Sequence, residues 1–99
     1  MEEFDKLIGS ATPTLVDFHA TWCGPCKMQG PILEQVKKAV GDAANIIKID
    51  VDRNQELSGR YRVQSVPTLM IFKNGDLKWR ASGLHQADVL EAQLRANMD

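Results

Sequence analysis

The sequence is poor in cysteine: its 99 residues contain two, Cys23 and Cys26. Two thiols three positions apart close only a very small loop, so a disulfide between them adds little entropic stabilisation to the fold. They cannot act as the staples of a small secreted domain, and the pair is therefore either reactive or metal-binding. The chain also lacks any apolar run near the length of a membrane span. Three of its first five residues are acidic, and this segment lacks the apolar core of a signal peptide, so we expect none.

An excess of one charge is also absent. Twelve Lys and Arg residues face thirteen Asp and Glu residues, for a net charge of -1. This balance gives no electrostatic reason to expect nucleic acid or an anionic membrane as a partner. The length and the ordinary proportion of hydrophobic residues predict one globular domain that spans residues 1–99. We expect it in the cytoplasm, or in the periplasm or outside the cell if an export signal has been removed.

Hydrophobic periodicity and turn signals predict four helices and four strands. The helices are expected at residues 2–8, 25–40, 54–60 and 86–96, and the strands at 15–18, 46–51, 68–72 and 77–81. Asn74-Gly75 is a strong hairpin signal, so the last two strands should be antiparallel. The β-α-β order at the start permits a right-handed parallel crossover. The predicted fold class is α/β, with a mixed sheet and helices on both of its faces.

The second helix has an apolar stripe that recurs every four residues. The stripe consists of Met28, Ile32, Val36 and Val40, and Leu33 widens it. Pro31 lies inside the same helix, where its missing N–H and its ring predict a kink.

The cysteines lie at the junction between a strand and this helix, in the segment Trp22-Cys23-Gly24-Pro25-Cys26. Cys23 should stand at the start of the helix, where unpaired N–H groups and the helix dipole favour a thiolate. Gly24 permits the tight entry, and Pro25 suits the first helical turn. Cys26 is close enough to attack a mixed disulfide formed at Cys23, and we expect it to be the more buried of the two. This arrangement predicts thiol–disulfide exchange.

A zinc site and an inert buried pair are the two alternatives to a reactive dithiol. A zinc site normally needs four ligands, and the chain has no second CxxC; His19 and His85 match no common zinc spacing. We therefore expect no metal. An inert buried pair is the other alternative, but inert cysteines need neither the intervening Gly-Pro nor the neighbouring Trp22.

Asp17 interrupts an otherwise apolar strand between Val16 and Phe18. A buried carboxylate is costly unless it is paired or used, and burial should raise its pKa. A surface position on the strand is the alternative, and the apolar neighbours argue against it.

Seven parts of the chain together resemble the thioredoxin family. They are residues 15–18, 22–27, 31, 48, 66–68, 72–75 and 83, and they follow the family's order over nearly the whole chain. The resemblance implies a protein disulfide reductase in which Cys23 attacks a target disulfide and Cys26 resolves the mixed disulfide. Reducing members of the family have potentials of about -270 mV, a value known for thioredoxin itself and not obtained from this chain. The implied partners are disulfide-containing proteins and a flavin- and NADPH-dependent thioredoxin reductase, and we expect a monomer with no bound cofactor.

The resemblance also implies roles for residues outside the dithiol. Asp17 would be the base that helps to deprotonate Cys26, with Lys48 as its charged partner. Pro67 would be in the cis form and face the dithiol, with the Val66 backbone free to pair with a substrate strand. Trp22 and Gly83 would complete the rim against which substrates dock. Trp79 is expected to pack or to lie at the surface.

The chain departs from the family pattern in two places. His19 stands where many members have Trp, and it could alter the packing of the active-site loop or the pH dependence of Cys23. The customary first strand also lacks a counterpart, so we predict a four-stranded sheet in the order 46–51, 14–19, 68–73, 77–81. Strand 46–51 would then be an edge, where Lys48 and Asp50 discourage pairing with another sheet.

Two other functions remain open at this point. One is an oxidase or isomerase in an oxidising compartment, and the other is a protein-binding subunit whose role is independent of redox state.

Overall fold

The computed structural model describes residues 1–98, and the predicted elements are all present there with ends shifted by at most one residue. The strands are β1 (Thr14–His19), β2 (Asn45–Asp50), β3 (Thr68–Lys73) and β4 (Asp76–Ser82). The helices are α1 (Glu2–Ile8), α2 (Gly24–Val40), α3 (Gln55–Arg60) and α4 (Ala87–Arg95), and a short 3-10 turn, Gly41–Ala43, follows α2.

The four strands form one mixed sheet in the order β2-β1-β3-β4, as predicted. β1 pairs in parallel with β2 and antiparallel with β3, and β3 pairs antiparallel with β4. Asn74 and Gly75 connect β3 to β4 with positive φ angles of 54° and 84°, the conformation that a tight hairpin turn requires. β2 is an edge strand, which places Lys48 and Asp50 at the border of the sheet.

Two hydrophobic clusters cover the two faces of the sheet, because successive residues of a buried strand point to opposite sides. Leu15 points toward α2 and α4, whereas Val16 and Phe18 point toward α1 and α3. Every residue of β1 and β3 is buried except the last. These two central strands therefore give the active-site loop, which follows β1, a rigid base.

The buried side of α2 differs from the predicted stripe. Met28 is 60% exposed, and the prediction that it belongs to the core is wrong. The buried positions are Cys26, Gln29, Leu33, Val36 and Val40. They alternate between spacings of three and four, because a helix has 3.6 residues per turn and a strict four-residue repeat drifts around it. α2 continues through Pro31, and the kink there stays a prediction.

Candidate functional site

Cys23 and Cys26 form a disulfide at the start of α2, with their Cα atoms 5.3 Å apart. Cys23 is the N-cap of the helix and has an extended backbone, and its sulfur accepts a hydrogen bond of 3.2 Å from the Cys26 N–H. Pro25 lies in the first turn, as the sequence predicts. The Cys23 sulfur therefore faces the positive end of the helix, where a thiolate is stabilised once the disulfide is reduced.

The two cysteines are about equally buried, with 5% exposure for Cys23 and 7% for Cys26. The prediction that Cys26 is the more buried is thus wrong for this oxidised state. The disulfide keeps the two sulfur atoms in direct contact, so each shields the other from solvent. The Val66 carbonyl oxygen also covers the Cys23 sulfur, at a distance of 3.6 Å. Cys26, in turn, lines a cavity beneath the loop.

Asp17 is 1% exposed, in agreement with the prediction of a buried carboxyl group. Its Oδ1 atom has no hydrogen-bond partner within residues 1–98. Burial raises the pKa of Asp17 from 3.8 to about 6, while the charges of His19 and Lys48 act in the opposite direction. His19 follows Asp17 by two residues, so both side chains lie on the same face of β1.

Lys48 lies beside Asp17 in the parallel pairing of β1 with β2. No ion pair within 4 Å joins the two among the described residues, so Lys48 acts on the carboxyl group through space. His19, Cys26 and Lys48 line a common cavity of about 340 Å³ together with residues of α2. This cavity gives solvent a route toward the buried side of the dithiol. A larger cavity, of about 440 Å³, lies away from the cysteines and contacts α1, β2 and α3.

The loop before β3 faces the dithiol. The Val66–Pro67 peptide bond is cis, as the resemblance implied. The Val66 N–H has no hydrogen-bond partner in the part of the chain that the structure describes. Gly83 has a φ of 90° and donates its N–H to the Pro67 carbonyl at 2.8 Å, which brings the end of β4 to the same place.

Trp22 is 70% exposed, and its indole N–H donates a 2.9 Å hydrogen bond to the carboxylate of Asp52. Sequence reasoning did not single out Asp52. The predicted topology could have indicated it. Trp22 follows β1 and Asp52 follows β2, and the carboxyl ends of these two parallel strands lie at the same end of the sheet. Asp52 thus orients the ring that borders the dithiol.

Two findings about the described chain bear on other kinds of site. Residues 1–98 contain no group of three or more His, Cys, Asp or Glu side chains arranged as metal ligands. Over the same range, no helix combines the length and apolar character needed to cross a bilayer.

Comparison with known proteins gives consistent matches. The family model for thioredoxin matches residues 1–96. A thioredoxin-like protein of Synechocystis sp. is 46% identical over 91 residues, which cover 92% of this chain and 87% of that protein. The thioredoxin of Bacillus subtilis is 47% identical over 77 residues, or 78% and 74% of the two chains. A mutant thioredoxin from Halobacterium salinarum is similar in structure, with a TM-score of 0.89 at 36% identity, and the match covers 100% and 86% of the two chains.

A CxxC disulfide at a helix N-terminus, next to a cis-proline loop on a mixed sheet, defines a thiol–disulfide oxidoreductase. Together with the matches above, it shows that the chain belongs to the thioredoxin family. Members of this family reduce disulfide substrates and receive their electrons from thioredoxin reductase.

Proposed function

We propose that the reduced chain acts on disulfides of other proteins, with Cys23 as the nucleophile and Cys26 as the resolving thiol. The observation that carries this assignment is the position of Cys23 as N-cap of α2, where its sulfur accepts the Cys26 N–H. A thiolate at that position is stabilised by the helix dipole, whereas Cys26 lies inside the first turn and lacks that benefit.

The reaction consists of two exchange steps. The Cys23 thiolate attacks one sulfur of the target, so a Cys23–target disulfide forms, the target disulfide breaks and one target thiolate leaves. The Cys26 thiolate then attacks the Cys23 sulfur, and the second target thiolate leaves as the Cys23–Cys26 disulfide forms. Two electrons pass from the chain to the target, and the two target thiolates take up protons.

Asp17 is suited to accept the proton of Cys26 before the second step. Its pKa of about 6 keeps it largely ionised at neutral pH but more basic than an ordinary carboxylate. Cys26 lines one cavity with His19 and Lys48, the two residues whose charges act on Asp17, so the thiol lies in the same part of the molecule as the carboxylate. Lys48 supports the ionised form of Asp17 through its positive charge.

The loop at Val66-Pro67 is the proposed docking site for the target. The free N–H of Val66 can pair with an extended substrate segment next to Cys23, since β-type pairing uses main-chain groups. Trp22 and Gly83 form the rim on either side. This geometry favours a polypeptide carrying an exposed disulfide.

The remaining assignments extend this proposal to the cell. A flavin- and NADPH-dependent thioredoxin reductase regenerates the dithiol, and the chain itself binds no cofactor. It works as a monomer in the cytoplasm and serves in electron transport to protein disulfides. Thioredoxins among the relatives support the choice of reductase.

Insulin reduction tests the assignment of the nucleophile. Cys23→Ser should abolish the activity, whereas Cys26→Ser should complete the first step and accumulate a mixed disulfide with one target per chain. Survival of activity in Cys23→Ser would show that the nucleophile is misassigned. Identification of the proteins trapped by Cys26→Ser then gives the physiological targets.

The redox potential separates a reductase from an oxidase or isomerase. We expect a value close to about -270 mV, the potential of thioredoxin itself, and not the range of about -120 to -180 mV of oxidising relatives. A value in the oxidising range would reverse the proposed direction of electron flow. If instead the Cys23→Ser, Cys26→Ser double variant kept full biological activity, the chain would act as a redox-independent binding subunit.

A further inference from the structure

Gln29 occupies a position in α2 where an apolar side chain would be expected. It lies one turn after Cys26 on the buried side of the helix and is 0% exposed. A carboxamide is costly to bury unless both its donor and its acceptor are paired. The mechanism proposed above gives this residue no task, so its burial needs another explanation.

The Gln29 side chain pairs with the main chain of a single residue, His85. Its Nε2 donates to the His85 carbonyl at 2.9 Å, and its Oε1 accepts the His85 N–H at 2.9 Å. This two-point contact resembles one rung of a β-ladder. It connects α2, which carries the dithiol, to the loop between β4 and α4.

His85 is in turn hydrogen-bonded to Gly83. The Gly83 carbonyl can only accept a hydrogen bond, so the His85 Nδ1–H donates to it, at 2.8 Å. The imidazole also meets the Trp79 ring edge-on, with the ring centroids 5.6 Å apart, which fixes its orientation. Trp79 is partly buried against the core, so of the two positions expected for it, packing or surface, it takes the packed one, and it supports the loop.

Two further contacts connect Gly83 back to the dithiol. Gly83 donates its N–H to the Pro67 carbonyl at 2.8 Å, and the carbonyl of the preceding Val66 lies 3.6 Å from the Cys23 sulfur. The docking loop thus lies against the dithiol on one side, where the Val66 carbonyl contacts the Cys23 sulfur, and is hydrogen-bonded on the other, through Gly83 and His85, to Gln29 of the dithiol's own helix.

We propose that Gln29 is a positioning residue for protein substrates, which fixes the docking groove of Val66, Pro67 and Gly83 at a set distance from Cys23. This proposal rests on the docking role given to those residues above. A polypeptide must contact the groove and the Cys23 sulfur together, so it depends on their spacing. A small disulfide needs only the sulfur. Gln29 therefore contributes to the preference for protein disulfides over small ones.

The matched pair Gln29→Met and Gln35→Met tests this proposal. Both replace a glutamine of α2 by an apolar side chain of similar size, but Gln35 is exposed. Gln29→Met leaves the His85 N–H and carbonyl without partners, which destabilises this arrangement and favours a shifted loop. We expect kcat/KM for insulin to fall about tenfold, mainly through KM, which corresponds to about 1.4 kcal/mol. The rate with a small aromatic disulfide should change less than about twofold, and Gln35→Met should resemble the wild type in both assays.

Hydrogen exchange provides a readout besides activity. In Gln29→Met the amides of His85 and Gly83 should exchange faster, while those of β1 and β3 keep their protection. Equal losses for insulin and the small disulfide would overturn the proposal, since Gln29 would then support the dithiol itself. Faster exchange with unchanged insulin kinetics would overturn it as well. A wild-type chain that fails to reduce insulin would instead refute the proposed function.

Gln29→Glu separates pairing from simple packing. A protonated glutamic acid can both donate and accept, whereas its ionised form can only accept. The loss of unfolding free energy relative to the wild type should therefore shrink as the pH falls, while the loss in Gln29→Met stays constant. A loss that is independent of pH in both variants would contradict the hydrogen-bond role.

Discussion

At the scale of single residues, the proposed activation of the Cys26 thiol depends on Asp17. Its burial raises its pKa to about 6, so it changes charge just below neutral pH. In the wild type, the rate at which Cys26 resolves the mixed disulfide should rise as the pH passes about 6. Above that pH Asp17 is ionised, and its titration should cause no further increase in the rate. Asp17→Asn should remove that inflection and slow the step at least about tenfold, because general base catalysis typically contributes about 10²–10⁴-fold.

Decay of a preformed mixed disulfide, followed between pH 5 and 8, measures this step directly. Asp42→Asn is the matched control, since Asp42 is exposed in the turn after α2. A resolving rate in Asp17→Asn equal to that of the control would remove Asp17 from the mechanism.

His19 changes the electrostatics of the same carboxyl group. Its charge lowers the pKa of Asp17 more than the charge of Lys48 does, although Lys48 is the partner that the resemblance implied. We expect His19→Gln to raise the pKa of Asp17 above about 6, and Lys48→Gln to raise it by a smaller amount. Carboxyl-carbon NMR titration of Asp17 gives the two values, and a larger effect of Lys48→Gln would reverse this order.

At the scale of helices and strands, the sequence predicts the elements well and their contacts less well. Periodicity and turn signals such as Asn74-Gly75 are local, and they located the ends of the elements to within one residue. Which face of α2 is buried depends on where β1 and α4 lie. This long-range packing leaves Met28 exposed and buries Gln29, which the predicted stripe did not include. The bond between Trp22 and Asp52 was missed for the same reason, because it joins residues 30 positions apart.

The corrected face of α2 can be tested by stability. Leu33 is 2% exposed and belongs to the core between α2, α4 and the sheet, whereas Met28 is 60% exposed. Leu33→Ala should lower the free energy of unfolding by about 2–5 kcal/mol, because it removes buried contacts and leaves a cavity. Met28→Ala should change it by less than about 0.5 kcal/mol. Urea denaturation of the oxidised chain measures both changes in the free energy of unfolding. A similar loss in the two variants would mean that Met28 is buried after all, as the four-residue stripe predicted.

At the scale of the whole molecule, the sheet order and the candidate site could be predicted from the sequence, because the family pattern spans most of the chain. The same pattern placed Cys23, Asp17, Lys48 and Pro67 near one another. The hydrogen bonds between Gln29 and His85 lay outside it, since neither residue belongs to the segments that resemble the family. The fold thus combines the arrangement implied by the family pattern with hydrogen bonds at positions outside that pattern.

Burial of Asp17 makes the stability of the whole domain depend on pH. Its pKa is about 6 in the folded chain and 3.8 as its ordinary value, so between these two values the native state binds the proton more tightly. Stability should therefore fall as the pH rises through this window, since burying the charged form destabilises the native state. The difference of about two pH units corresponds to about 3 kcal/mol once the pH exceeds the folded value.

Asp17→Asn isolates this contribution from the other carboxyl groups, which titrate alike in both proteins. At pH 3.5 the variant and the wild type should unfold with similar free energies, because both carry a neutral side chain at position 17. At pH 7.5 the variant should be the more stable by about 3 kcal/mol, since an amide carries no charge to desolvate. Chemical denaturation of the oxidised proteins at the two pH values provides the comparison. Equal stability at pH 7.5 would mean that Asp17 is as well solvated in the folded chain as in the unfolded one, and the raised pKa would lose its physical basis.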